Sequence, residues 1–141
     1  MTSPQGHEHE THATFRIMRD ELDPSEVTRA LGVAPSFARR KGDTYGHPDR
    51  PVRSRTGIWA LESEGTVKSR ELEDHLRFLA AHISPDARSY IKRLRLDGYR
   101  IDVLCYWMSG TGHGGPVLSP EVLCILCDLG AELSFDFYSA V

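Results

Sequence analysis

The ten residues from Tyr99 to Met108 alternate in a way that an extended strand satisfies and a helix does not. Tyr99, Ile101, Val103, Cys105 and Trp107 fall on one face; Arg100, Asp102, Leu104, Tyr106 and Met108 fall on the other. The first face is apolar throughout, and the second becomes apolar halfway along. Such a strand belongs in the middle of a sheet, covered on both sides at its far end. Val103 to Met108 is also an uninterrupted apolar run that no other in the chain exceeds, far too short to cross a bilayer.

The rest of the chain is organised around that strand. Thr14, Phe15, Arg16 and Ile17 alternate as a half-buried strand. Leu22-Asp23-Pro24-Ser25-Glu26-Val27 then marks a helix start: Asp23 can cap, Pro24 suits the first turn, and Glu26 stands where a capping box needs a carboxylate. Val27, Ala30 and Leu31 share a face, Gly32 supplies the left-handed stop, and Pro35 forbids continuation. A strand is expected near Phe37 to Arg40, then a long polar excursion, then a strand at Ile58 to Leu61 with Trp59 and Leu61 on one face. Leu72, His75, Leu76, Leu79, Ala80 and Ile83 fall on one helical stripe. Ser84-Pro85 restarts that helix, Ala87, Tyr90, Ile91 and Leu94 continue it, and Gly98 ends it. Ser119-Pro120 opens a further helix that Gly130 closes. In the last strand, Leu133 to Ala140, Leu133, Phe135 and Phe137 are expected inward.

Residues 1–13 lack a large apolar side chain beyond Met1 and read as a disordered tail, leaving 14–141 as a single domain. His7, His9 and His12 in that stretch read as solvated. At 40% hydrophobic and 26% charged, the chain can bury a core, and wholesale disorder is excluded. Three cysteines are too few for a disulfide scaffold and fit a reducing, cytoplasmic setting. No secretory leader or membrane span is evident.

The expected fold is α+β: a mainly antiparallel sheet of about five strands with helices largely on one face, close to the ferredoxin-like arrangement. Leu22-Asp23-Pro24, Leu31-Gly32 and Ser36-Phe37 recur as Leu118-Ser119-Pro120, Leu129-Gly130 and Ser134-Phe135, suggesting an internal strand–helix–strand duplication. Two abutting half-sheets would be the alternative architecture.

Three segments carry a family likeness. The first runs from Leu22-Asp23-Pro24 to Thr28 and on through Leu31-Gly32-Val33, Pro35, Ala38 and Lys41-Gly42. The second is Thr56-Gly57-Ile58-Trp59 with Leu61 and Ser63; the third is Leu129-Gly130-Ala131, Leu133, Phe135-Asp136 and Tyr138. On these residues the chain resembles the bacterial family called domain of unknown function 4279, over Thr14 to Ser139. The resemblance implies a compact intracellular bacterial domain and carries no established activity, hence no catalytic residue.

The most unusual local feature is basic. Arg39, Arg40, Lys41, Arg50, Arg53 and Arg55 stand against Asp43 and Asp49, a net +4 in a chain whose total is −3. Arg39, Arg40, Lys41, Arg53 and Arg55 are the candidate contacts to an anion or an acidic partner protein, since guanidinium forks match carboxylate and phosphate oxygens. The acidic remainder of the chain disfavours nucleic acid.

Other motifs carry less. Gly110-Thr111-Gly112-His113-Gly114-Gly115 satisfies Gly-x-Gly-x-x-Gly, but the next helix opens only at Ser119-Pro120, too late for a pyrophosphate cradle. Cys124 and Cys127 lie mid-helix, away from the field that activates redox thiols, and a zinc set with Cys105 and His113 has no supporting spacing. His75 reads as a satisfied core residue, and His113 is the histidine best placed for proton transfer. The leading reading is a non-enzymatic binding module using residues 39–55, without cofactor or metal. The alternative is a small enzyme or metabolite sensor whose pocket joins that segment to Trp59, His113 and the loop 109–115. The helix after Pro120 is apolar on nearly all sides, which suggests a homodimer through its back, around Cys124, or through an edge strand.

Overall fold

Three of the four helices open on the cap-and-proline pairs seen in the sequence. In the computed structural model, which describes residues 9–140, the side chains of Asp23, Ser84 and Ser119 accept backbone N–H groups at the starts of α1 (Pro24–Leu31), α3 (Pro85–Leu96) and α4 (Pro120–Leu129). α2 (Leu72–Ala81) has no side-chain cap of its own. It ends before Ile83, so a turn separates it from α3. Gly32 and Gly130 close α1 and α4 with φ of 69° and 74°, the left-handed geometry expected of them.

The strands are β1 (Glu10–Arg19), β2 (Phe37–Arg39), β3 (Thr44–Tyr45), β4 (Val52–Arg53), β5 (Gly57–Glu62), β6 (Arg100–Ser109) and β7 (Glu132–Ser139). Five of them form one sheet in the order β2-β5-β1-β6-β7, and β3 and β4 form a separate small ribbon. All pairings in the main sheet are antiparallel except β6 with β7, which are parallel. The fold is therefore α+β with a mostly antiparallel sheet. One continuous sheet replaces the alternative of two half-sheets. The two segments suspected of duplication differ in topology: β1 and β2 are separated by β5, whereas β6 and β7 are direct neighbours.

The apolar stripes of all four helices merge with one face of the sheet into a single core. Phe15, Ile17, Trp59, Leu61, Val103 and Cys105 from the strands meet Val27, Leu76, Leu79, Ile91, Val122 and Leu126 from the helices. At the start of β5, a Cβ on Gly57 would lie 2.5 Å from the Arg19 carbonyl oxygen and 2.8 Å from the Leu22 Cβ. Only glycine lets β5 pass the turn after β1 at that distance.

Three expectations need correction. Strand β1 begins at Glu10, so residues 10–13 of the expected tail are structured, with Thr11 and Ala13 buried. Alternation there was masked because the inward residues are the small Thr11 and Ala13. Residues 1–8, including His7, lie outside the described residues. His9 and His12 are not simply solvated: they stack on Trp107 and Tyr106 with ring centroids 4.7 and 4.6 Å apart. Finally, the second face of β6 is not covered at its far end, since no helix packs there and Leu104, Tyr106 and Met108 remain half-buried.

On this open face, the Arg16 guanidinium grips Asp102 with both arms, Nε to Oδ1 at 2.8 Å and Nη2 to Oδ2 at 2.6 Å. Ser134 adds an Oγ–H donor to Oδ2 at 3.3 Å. The pair ties β1 to β6, with the Asp102 side chain fully buried.

Candidate functional site

The basic segment leaves the sheet at Arg39 and returns at Gly57, spanning the β3–β4 ribbon. Ser54 closes its base: its N–H donates to the Asp43 carbonyl at 2.7 Å, and its own carbonyl accepts the Gly42 N–H at 2.8 Å. The five sequence-predicted cations are put to different uses. Arg39 is folded inward over the rings of Phe37 and Tyr45, 4.5 and 3.7 Å from their centroids. Its Nε is buried without a hydrogen-bond partner, so ring faces rather than an anion meet its charge. Arg40 bonds Asp23 at 2.9 Å, and Lys41 bonds Asp20 at 2.9 Å. Lys41 holds the Asp20 carboxyl below its ordinary range, mainly through that hydrogen bond.

Arg53 and Arg55 remain. Neither has a carboxylate partner among the described residues; Arg53 makes only a long contact of 3.4 Å to the Gly42 carbonyl. With Lys41, Gly42 and Ser54 they line one shallow depression of about 400 Å³. Arg53 and Arg55 are thus the two candidate cations whose charge neither an acidic side chain nor an aromatic ring among the described residues meets, while the Lys41 ammonium is already bonded to Asp20.

Trp59 and His113, the two pocket candidates, do not join this site. Trp59 is fully buried under α1, its Nε1–H donating to Thr28 Oγ1 at 3.0 Å. His113 follows β6, whose Met108 pairs with Glu10 at the start of β1, while the basic segment rejoins the sheet at Gly57, opposite Arg19 at the end of β1. Ten residues of β1 separate those ends, roughly 30 Å of extended chain. The loop at His113 is held by its own side chains, with Ser109 Oγ and Thr111 Oγ1 donating to the His113 carbonyl at 2.6 and 3.1 Å. A hollow of about 490 Å³ adjoins it, lined by His9, Arg70, Trp107, Thr111 and His113 among others. α4 starts only at Pro120, away from the glycines.

A serine–histidine contact was not anticipated. Ser63 Oγ lies 2.6 Å from His75 Nδ1, and His75 Nε2 lies 2.7 Å from the Ser69 carbonyl. A carbonyl only accepts, so Nε2 carries a proton; the serine hydroxyl has two acceptors in reach, Nδ1 of the neutral ring and the Ala13 carbonyl at 3.2 Å. Ser63 Oγ also accepts the Ala13 N–H at 2.9 Å. Both side chains are buried, which withholds the hydroxyl from any substrate. The contact fastens α2 to the ends of β1 and β5, and His75 is the satisfied core histidine its helical stripe implied.

The cysteines are free thiols in different settings. Burial, with a smaller contribution from the Asp102 charge, pushes the Cys105 thiol up to about 12 and keeps it a neutral packing group. Cys124 and Cys127 are exposed on α4. Among the described residues, no group of three His, Cys, Asp or Glu side chains could hold a metal ion, and no helix is long and apolar enough to cross a membrane.

Fold and site together define an α+β protein with its helices packed on one face of a mostly antiparallel sheet and a basic ribbon at one end. The chain belongs to the family described as domain of unknown function (DUF4279), whose sequence model matches residues 9–140. No curated protein and no solved structure matches it.

Proposed function

We propose that this protein is a non-enzymatic binding module that uses the basic segment to hold a carboxylate- or phosphate-bearing partner. One observation supports the reading above all: Arg53 and Arg55 are exposed, lack an internal acid, and share one depression with Lys41, while the neighbouring Arg39 and Arg40 are already occupied. Lys41 is partly neutralised by Asp20, so the two arginines are the principal contacts. The three unpaired cysteines favour a reducing compartment such as the cytoplasm. The order β2-β5-β1-β6, crossed by α1 and by α2 with α3, supports reading the first part as a ferredoxin-like unit extended by α4 and β7. The enzyme or sensor alternative loses its pocket, because Trp59 lies in the core and His113 at the far end of the sheet.

The test is titration with inorganic phosphate and with a poly-glutamate peptide at low and at physiological salt. Binding should weaken as salt rises and fall at least tenfold in Arg53→Ser/Arg55→Ser, with the melting temperature unchanged because these are exposed loop charges. Equal affinity in the double variant, or no binding of either probe at low salt, would overturn the proposal.

A further inference from the structure

The outer edge at β7, which no other strand among the described residues pairs, carries an inference independent of the basic site. This strand is the outer one of the sheet and runs eight residues, Glu132–Ser139, without proline or lysine. Both are among the devices that ordinarily keep an edge from pairing. Leu133, Phe137 and Tyr138 stand exposed along it, Phe137 at 60%. The Ala140 N–H bonds back to the Ser109 carbonyl of β6 at 2.9 Å. Backbone direction alternates along a strand, so Leu133, Phe135 and Phe137 turn their N–H and C=O groups to the open side.

One flank of α4, the helix that precedes β7, is apolar and exposed as well. Asp128 reaches Arg88 of α3 at 2.5 Å, so that side of α4 faces the other helices. Leu123 and Cys127, spaced four apart on the opposite flank, are exposed. Exposed apolar side chains thus stand both on this strand and on the helix that leads into it.

We infer that this edge is the interface of a homodimer in which β7 pairs antiparallel with β7 of a second copy, joining two five-stranded sheets into one. The strand's own pattern selects the second copy as occupant. With Phe135 on the two-fold axis, Phe135 meets Phe135, Leu133 meets Phe137, Ser134 meets Asp136, and Glu132 meets Tyr138. Apolar residues face apolar ones on the helix side, and each carboxylate meets a hydroxyl on the open side. Sliding the copies by one repeat in one direction sets Asp136 against its own copy; sliding in the other sets Glu132 against Asp136. Like charges directly opposed disfavour both registers, and larger slides shorten the ladder. The outward-facing backbone groups of residues 133, 135 and 137 fall opposite one another in the favoured register, as the hydrogen-bonded pairs of such a ladder must.

Light scattering from micromolar to millimolar concentration should give twice the mass of one chain, 15.8 kDa. Leu133→Lys/Phe137→Lys should return it to one chain while leaving the circular dichroism spectrum intact, since both side chains are exposed. Register is read separately on a Cys124→Ser/Cys127→Ser background. There Leu133→Cys/Phe137→Cys should form an oxidised dimer, and Asp136→Cys should not. A single-chain mass throughout, a dimer that survives the two lysines, or cross-linking through Asp136→Cys in place of the 133/137 pair would overturn the inference.

Discussion

At one edge of the sheet, β2 contributes three residues, Phe37–Arg39, and the chain turns away at once. Ser36 extends the contact by donating its N–H to the Ala60 carbonyl and accepting the Glu62 N–H, each at 2.7 Å. Arg39 then lies across Phe37 and Tyr45, and the ribbon beyond it is cationic. At the other edge β7 offers eight residues with no lysine or arginine among them and aromatic side chains in solvent. The first edge is protected by brevity and charge; the second is left fit for pairing. The difference separates two tasks within one sheet. Under the two proposals, the β2 side displays charge to an unlike partner, and the β7 side displays backbone and apolar surface to a like one.

Both edges hang from the central strands, so the largest expected effect comes from breaking the middle. Arg16→Met leaves the buried Asp102 carboxylate with only the Ser134 hydroxyl beside it. It should cost about 3 kcal/mol in urea unfolding. The companion variant Arg16→Met/Asp102→Leu should recover most of the loss, because it removes the stranded charge. If Arg16→Met alone is neutral, β1 and β6 are held by packing, and the edges do not depend on that pair.

A smaller effect sharpens the contrast itself. Arg39→Ser removes two ring contacts and bares Phe37 and Tyr45. It should cost about 1 kcal/mol. Phe137→Ser at the other edge, measured at nanomolar concentration, should change stability by less than about 0.5 kcal/mol because that ring already faces solvent. Equal costs at the two edges would show that β2 is no better shielded than β7.

The smallest effect is electrostatic. Lys41 holds Asp20 below the ordinary carboxyl range, so a carbon-detected NMR titration should place its midpoint below that of a free aspartate. Lys41→Ala should raise it toward the usual value. The sign is that of a lowered carboxyl: the interaction is complete at neutral pH and fades as pH falls through the depressed midpoint. A normal midpoint in the wild type would release Lys41 as a third unneutralised cation beside Arg53 and Arg55.

The elements were legible where local chemistry announces them. Asp23-Pro24, Ser84-Pro85 and Ser119-Pro120 are cap-and-proline pairs whose effect needs no distant residue, and the alternation of β6 reads directly as a strand. The basic segment was legible as a concentration of charge. Its division of labour was not, because Asp20 and Asp23 lie about twenty residues upstream of the cations they neutralise. Ser63 gave no signal as the partner of His75, and the start of β1 was hidden behind small residues. Asp102 did give one: a lone acid in a central strand requires a buried counter-charge, although nothing local names Arg16.

What the sequence determined by itself was therefore the helices and the strands of the main sheet, the inward face of each, the α+β class, and the place where positive charge gathers. These follow from backbone preference and from burial periodicity, which act within a few residues. The tertiary structure alone decided that β7 runs parallel to β6 at an open edge, leaving its inward-facing Leu133 and Phe137 in solvent. It also decided that α4 is exposed along its Leu123–Cys127 flank as well as at Cys124, that Trp59 is sealed beneath α1, and that His113 lies a sheet's length from Arg53 and Arg55. The physical reason is that pairing order, and the choice of which cation meets which carboxylate, depend on contacts between residues far apart in the chain, and no local pattern encodes them.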